Sequence, residues 1–327
     1  MKKWIAALVL VLLAAALVGC TRIGSEPAAD ETYEDYIVVG FSQVGAESDW
    51  RNANTKSMQQ ALSEKNGFRL IIDDAQQKQE RQITAIRNFI HQGVDYIVLA
   101  PTTETGWDWD TVLTEAKVAD IPVIIVDRMI EVSDDRLFTC WIGSDFRREG
   151  DRAVEWMEQN LCGPLNIVHL QGNIGSSAQI GRTEGLNAGL AAHPDWTLVF
   201  RGSGDFTQAK GQELVSAFIS QGTEFNVIYS ENDNMSYGAI DALNAAGLQP
   251  GKDVAIISFD ASRSALKLLM DGKISYEVEC NPLHGPRVEA IIRQLEAGET
   301  PPKFTYVEEA VFEREALTQA LIDSRGY

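Results

Sequence analysis

The sequence predicts an α/β protein with two Rossmann-like lobes, each built on a parallel sheet, and three observations lead there. Ten short apolar runs recur between residues 36 and 280. The segments between them carry apolar residues at helical spacing. About ten strands overfill one doubly wound sheet and suit two sheets of about five.

The runs are 36–41 YIVVGF, 68–73 FRLIID, 95–99 DYIVL, 122–126 PVIIV, 138–143 FTCWIG, 165–170 LNIVHL, 196–200 WTLVF, 225–230 FNVIYS, 253–258 DVAIIS and 274–280 ISYEVEC. They are short, continuous and β-branched, as strands covered on both faces should be. Met58, Ala61 and Leu62 mark the first intervening helix, and Ile83, Ile86 and Ile90 the second. Val154, Met157 and Leu161 repeat that spacing, and Leu214, Phe218 and Ile219 line another helix. Gly67, Gly93, Gly222, Gly247, Gly272 and Gly298 stand where helices would close.

The N-terminus reads as a secretion signal. Lys2 and Lys3 precede an apolar run from Trp4 to Val18, which is short for a membrane span, and then Gly19-Cys20. The ending LVGC resembles the lipobox of bacterial lipoproteins. That resemblance implies cleavage before Cys20, lipidation of its thiol and an extracytoplasmic chain anchored to the cell membrane. Residues 1–19 are then the signal peptide. Residues 20–35, acidic and without apolar periodicity, form a flexible tether.

The chain has a formal net charge of −19. Loss of Lys2 and Lys3 with the signal makes it more negative still. Such a surface disfavours nucleic acid and anionic lipid as partners. Cys140, Cys162 and Cys280 lack zinc spacing, and the four His are scattered, so no metal site is expected. Cys140 and Cys162 either pair as a disulfide or, with Cys280, are small buried residues.

In open parallel sheets, ligands lie beyond the C-terminal strand ends. The residues there are Ser42, Glu47, Trp50 and Arg51, then Asp127 and Arg128, then Arg182, Phe206, Asn232 and Asp260. Planar carboxylates, amides and guanidinium groups suit vicinal hydroxyls, and aromatic planes suit the C–H face of a sugar ring. No nucleophile–base pair stands among them, so an enzyme is not expected. Plainer roles compete at several positions. Asp260 and Asn232 could cap helices, Phe206 could be core, Trp50 could pack under its loop, and Trp107 and Trp109 could be lobe packing or ligand contacts.

The stretches GFSQVGAESDWR, DAQQKQERQITAIRNFIHQGVDYIVLAPTTETGW, IPVIIVDR, LQGNIGSSAQIGRTEG, SGDFTQAKG and ENDNMSYGAIDALNAAGLQPGKDV, with the terminal GY, carry a resemblance. From Tyr36 to Tyr327 the chain resembles the ribose-type, class I periplasmic binding proteins, and within them the galactofuranose-binding components of bacterial sugar ABC importers. The resemblance implies two lobes joined by a three-strand hinge. One lobe takes 36–143 plus 282–308, and the other 144–281 plus 309–327. It implies a monosaccharide between the lobes, held by the residues named above, with the furanose-type pattern assigning Ser42, Glu47, Trp50 and Arg51. Relatives carry Gln where this chain has Cys280, which leaves the sugar open between galactofuranose, fructose, arabinose and a pyranose.

The implied partners are ABC permease subunits, with the ATPase on a separate chain, since this sequence has no G-x-x-x-x-G-K-[ST]. A monomer without cofactors is implied. A sugar receptor that signals to a membrane sensor would use the same binding physics. A repressor would need a DNA-binding helix pair where this chain has its secretion signal. A nucleotide-dependent dehydrogenase would need G-x-G-x-x-G after the first strand.

Overall fold

The computed structural model describes residues 36–105 and 108–327. The expected signal peptide, Cys20 and the tether lie outside the described residues, as does Trp107. No helix among the described residues is long and apolar enough to cross a membrane.

Strands and helices alternate along the chain. The first half runs β1 (Ile37–Gln43), α1 (Asp49–Ala61), β2 (Phe68–Asp74), α2 (Gln79–Gln92), β3 (Tyr96–Leu99), α3 (Asp108–Val118), β4 (Val123–Val126) and β5 (Cys140–Gly143). The second runs α4 (Phe146–Asn160), β6 (Leu165–Gln171), α5 (Ser177–Ala192), β7 (Trp196–Ser203), α6 (Gln208–Ile219), β8 (Val227–Ser230), α7 (Asp233–Ala245), β9 (Ala255–Asp260), α8 (Arg263–Met270) and β10 (Tyr276–Glu279). Then come α9 (Gly285–Glu296), β11 (Phe304–Tyr306), β12 (Val311–Phe312) and α10 (Gln319–Ser324).

Two six-stranded sheets result, in the orders β11-β5-β4-β3-β1-β2 and β12-β10-β9-β8-β6-β7. All ten expected strands form. All pairings are parallel except β10 with β12, which is antiparallel. Both sheets share one winding: the second strand goes to one side of the first, and the third, fourth and fifth go to the other. Each sheet therefore has a switch point, between β1 and β3 and between β6 and β8, where a crevice opens beyond the strand ends.

Burial explains the apolar runs. In β3, Ile97 and Leu99 enter one core while Tyr96 and Val98 enter another on the opposite face. β6 divides likewise, with Val168 and Leu170 on one side and Leu165 and Ile167 on the other. A strand covered on both faces needs no polar alternation. β11 and β12 escaped the sequence reading because they are edge strands of three and two residues. Phe304, Tyr306 and Val311 in them are exposed, so neither makes a continuous buried run.

The chain crosses between sheets three times: after β5, after β10, and between β11 and β12. After the second crossing α9 returns to the first sheet, where Val288 and Ile292 join Met58 and Leu62 in one core. Gly285, the first residue of α9, packs directly on α1. A Cβ there would lie 2.1 Å from the Ser57 carbonyl oxygen. Since backbone cannot yield as a flexible side chain does, Gly285→Ala is expected to cost about 2 kcal/mol or more and lower the melting temperature by several degrees. A thermal melt checks this; an unchanged midpoint would refute the close approach.

Candidate functional site

The β1–α1 loop sets the first wall. Ser48 caps α1, its hydroxyl accepting the Arg51 backbone N–H at 3.1 Å. Such a cap stabilises a helix start by about 1 kcal/mol and here aims the first turn. Trp50 and Arg51 in that turn are both buried. The Arg51 guanidinium donates to Glu47 Oε1 and to Gln43 Oε1, both at 3.2 Å, and lies 2.9 Å from Asp127 Oδ2. It also sits 4.6 Å over the Trp50 ring. Burial alone would lower the Arg51 pKa, but Asp127 and Glu47 outweigh it and the net shift is upward. The Trp50 indole N–H donates to the Cys280 carbonyl at 2.8 Å, tying α1 to the second crossing.

Asp127 and Arg128 follow β4. Asp127 has φ 64°, a conformation unusual for a side-chain-bearing residue, which turns its carboxylate toward Arg51. Arg128 is treated differently from Arg51. Among the described residues its side chain hydrogen-bonds only the Thr102 carbonyl, at 3.1 Å, and Asp127 Oδ2 is 3.9 Å from its Nε. Its guanidinium lies 5.3 Å over the Phe206 ring. Burial, with Arg51 next, pushes its pKa down to about 10.

The second sheet supplies the facing wall. Arg182 in α5 donates to Glu149 Oε2 at 2.6 Å and to the Glu231 carbonyl, and it packs against the Phe146 and Phe259 rings. Burial opposes its charge, yet Glu149 and then other neighbours raise its pKa well above the usual value. Phe206 has φ 61° after Asp205 at φ 49°, and this turn lays its ring against Gly172. Asn232 is the N-cap of α7. It accepts the Met235 N–H at 3.0 Å and donates to the Phe206 carbonyl at 3.1 Å, so its amide is partly committed to the fold.

Asp260 ends β9 with φ 111°. It caps nothing, because Ser262 caps α8. Its nearest cation is Arg182 Nη2 at 3.7 Å, beyond hydrogen-bond reach. Burial, with Asp233 second, raises its pKa well above the ordinary carboxylate value.

These groups face one cavity of about 290 Å³ between the lobes. Of the eleven expected site residues, ten line it: Glu47, Trp50, Arg51, Asp127 and Arg128 on one side, and Arg182, Phe206, Asn232, Asp260 and Cys280 on the other. Ser42 does not. It is fully buried in β1, and its hydroxyl has no hydrogen-bond partner. Ser48, Phe146 and Ala178 line the cavity without having been expected. Ser48 was legible as the polar residue that opens SDWR, and Phe146 as the aromatic residue that opens α4 after the β5 crossing. Ala178 gave no signal. Trp109 lies in the core of the first lobe and donates to the Thr103 carbonyl at 3.3 Å.

The rim is sealed by direct contacts between the lobes. The Asp49 N–H donates to Asn234 Oδ1 (3.0 Å), the Asn173 amide to Gln77 Oε1 (2.6 Å), the Glu104 N–H to the Gly175 carbonyl (2.8 Å) and the Met129 N–H to Ser177 Oγ (2.9 Å).

Cys140, Cys162 and Cys280 are all free, so the Cys140–Cys162 disulfide does not form. Cys162 is exposed, so the three are not all buried either. Burial drives the Cys280 thiol pKa well up, leaving it protonated and unreactive. No His lines the cavity. The lining therefore offers charged forks, one underpaired acid and aromatic faces, groups suited to orienting a small polyhydroxylated molecule.

Comparison with known proteins agrees with this geometry. The family signature described as periplasmic binding protein domain matches residues 39–310. The chain is 40% identical over 281 residues to the galactofuranose-binding protein YtfQ of Escherichia coli strain K12, covering 84% of this chain and 87% of that one. A Mycobacterium smegmatis structure in complex with β-D-fucofuranose superposes with a TM-score of 0.82 at 40% identity, covering 88% of this chain and 93% of the other. The binding component of the arabinose ABC transporter of Shewanella sp. ANA-3, bound to α- and β-L-arabinofuranose, superposes with a TM-score of 0.83 at 41% identity, covering 88% and 95%. The signature match over most of the chain, the relative's identity and the twin-sheet fold together make this chain a member of the ribose-type, class I periplasmic binding protein family.

Proposed function

We propose that this chain is the lipid-anchored, extracytoplasmic solute-binding component of a sugar ABC importer, and that it takes a monosaccharide in its furanose form. The carrying observation is the unequal pairing inside the cavity. Arg51 and Arg182 are each held by a protein carboxylate in hydrogen-bond contact, while Arg128 and Asp260 face the same space with few protein partners. A donor fork and an acceptor carboxyl on opposite walls suit adjacent hydroxyls of one small ring. Phe206 and Trp50 supply the apolar faces. The furanose preference is supported by relatives whose bound sugars are furanoses. Galactofuranose and arabinose are the leading candidates, and fructose also forms such a ring.

In this reading Glu47, Trp50, Arg51, Asp127, Arg128, Arg182, Phe206, Asn232, Asp260 and Cys280 enclose the ligand. The lobes, 36–143 plus 282–308 and 144–281 plus 309–327, close about the three crossings as sugar binds. Sugar favours closure by its differential affinity for the closed state. The closed form then docks, as a monomer, on permease subunits whose ATPase is a separate chain. Cys20 carries the lipid and residues 21–35 the tether. No bond in the sugar is made or broken.

Calorimetric titration with galactofuranose, arabinose, fructose, ribose, galactose and glucose tests the reading. One furanose-forming sugar is expected to bind at micromolar affinity or tighter. Arg128→Ala and Asp260→Ala are each expected to weaken it by about a hundredfold, as loss of a buried charged hydrogen-bond partner does. Absence of binding by all six would refute the ligand class.

Phe206 gives a second test. A Cβ on Gly172 would come 1.9 Å from its ring. Gly172→Ala must therefore move the ring, and it is expected to weaken sugar binding roughly tenfold while changing no polar contact. Unchanged affinity in a folded Gly172→Ala protein would remove Phe206 from the binding face.

A further inference from the structure

The three crossings between the lobes converge on one carboxyl group. Ser144 follows β5, Asn281 follows β10, and Glu309 lies between β11 and β12. The Ser144 hydroxyl and the Asn281 N–H both donate to Glu309 Oε1, each at 2.7 Å. Arg152 of α4 donates to the Glu309 backbone carbonyl at 3.0 Å.

A second carboxyl lies against it. Glu149 of α4 is buried, and its Oε2 holds the Arg182 guanidinium. Its Oε1 is buried, and the Cys280 thiol is the weak donor that faces Glu149. One side-chain atom from each of Glu149, Cys280 and Glu309 lies within 4.8 Å of the others.

Two ionised carboxylates this close, Glu149 fully buried and Glu309 half-buried, would repel each other and compete for Arg182. A neutral Glu309 avoids both costs. Its Oε1 then serves as the carbonyl acceptor for the two crossings, and its second oxygen carries the proton. Burial, with Glu149 second, pushes the Glu309 pKa up to about 9.

We infer that Glu309 is a positioning residue of the binding cavity: as a neutral carboxylic acid it clasps the three crossings together and leaves Glu149 undivided for Arg182, whose guanidinium forms the cavity wall. The groups that face Glu309 are Glu149 and Arg152 from α4, Arg182 from α5 through Glu149, and Glu279 and Cys280 from β10 and its exit. Asp145, Arg148 and Glu308 border the same groove. The proton is held below about pH 9 and lost as pH rises through that value, so affinity falls on the alkaline side. The affinity half of the inference rests on the sugar-binding reading; the proton itself does not.

Glu309→Gln separates this role from simple packing. The amide keeps the acceptor for Ser144 and Asn281 and an N–H donor in place of the acid's O–H, and it cannot ionise. In calorimetry of the full chain with L-arabinose and galactofuranose, the variant is expected to bind within about threefold of wild type near pH 7 and at least about fivefold more tightly than wild type near pH 10. Glu309→Ala is expected to be weaker at both. Arg128, whose pKa is about 10, affects wild type and Glu309→Gln alike, so their difference reports Glu309.

Infrared difference spectra of wild type against Glu309→Gln, with carboxyl-labelled glutamate, need no sugar. A protonated-carboxyl band present at neutral pH, titrating near pH 9 and missing in the variant, is expected. Absence of that band, or parallel alkaline loss of affinity in wild type and Glu309→Gln, would overturn the inference. If neither sugar binds, the band alone decides it, and the ligand reading falls separately.

Discussion

Three guanidinium groups share one buried cavity, and most of the site is what makes that tolerable. A buried cation is stable only when charge and hydrogen bonds replace its lost water. Arg51 receives Glu47, Asp127 and Gln43, and Arg182 receives Glu149 and the Glu231 carbonyl. Arg128 receives a single carbonyl and a distant carboxylate. The direction of each pKa follows: upward for the two that hold carboxylates, downward for Arg128. The cavity thus holds its own charge nearly balanced, with one fork and one acid in reserve. That arrangement suits a neutral ligand with several hydroxyls far better than an anion or a reacting bond.

The fold produces this by placing switch points face to face. Each of the parallel sheets ends at the cavity, and the ends are where backbone departs from ordinary angles. Asp127, Phe206 and Asp260 all have positive φ without being glycine. Such residues cost about 1 kcal/mol or more each, and here the cost is carried by tightly packed sheets beneath. The rim contacts complete the enclosure. Asp49 with Asn234 and Gln77 with Asn173 join the lobes at positions that are not part of the cavity wall, so the lobes also meet through contacts away from the cavity.

Much of this was legible in sequence because strands buried on both faces leave unbroken β-branched runs. VIIV at β4 and YIVL at β3 need no neighbour to identify them, and Asp127 and Arg128, directly after β4, line the cavity. The exceptions have physical reasons. β11 and β12 are short edge strands whose residues are half exposed, so they carry no burial signature. Ser42 sits on the strand rather than beyond it, and a one-residue difference in strand length decides whether a side chain enters the crevice or the sheet. Asn232 carried two readings; the structure gives it the cap and leaves it at the cavity edge, roles compatible for an amide with four hydrogen-bonding positions. Cys162 could not be assigned from spacing alone, since nothing local distinguishes an exposed thiol after a helix from a bridged one. The convergence of Glu149, Cys280 and Glu309 joins residues from three distant segments, and no local pattern announces it.

In the proposed reading a furanose ring lies between Arg128 and Asp260. A crystal structure of the protein with saturating galactofuranose or L-arabinose tests it most directly. Ring density is expected inside the cavity, with sugar hydroxyls within hydrogen-bond distance of the Arg128 guanidinium and the Asp260 carboxyl and a ring face against Phe206 or Trp50. Sugar bound elsewhere on the molecule, or held in the cavity with Arg128 and Asp260 both untouched, would contradict it.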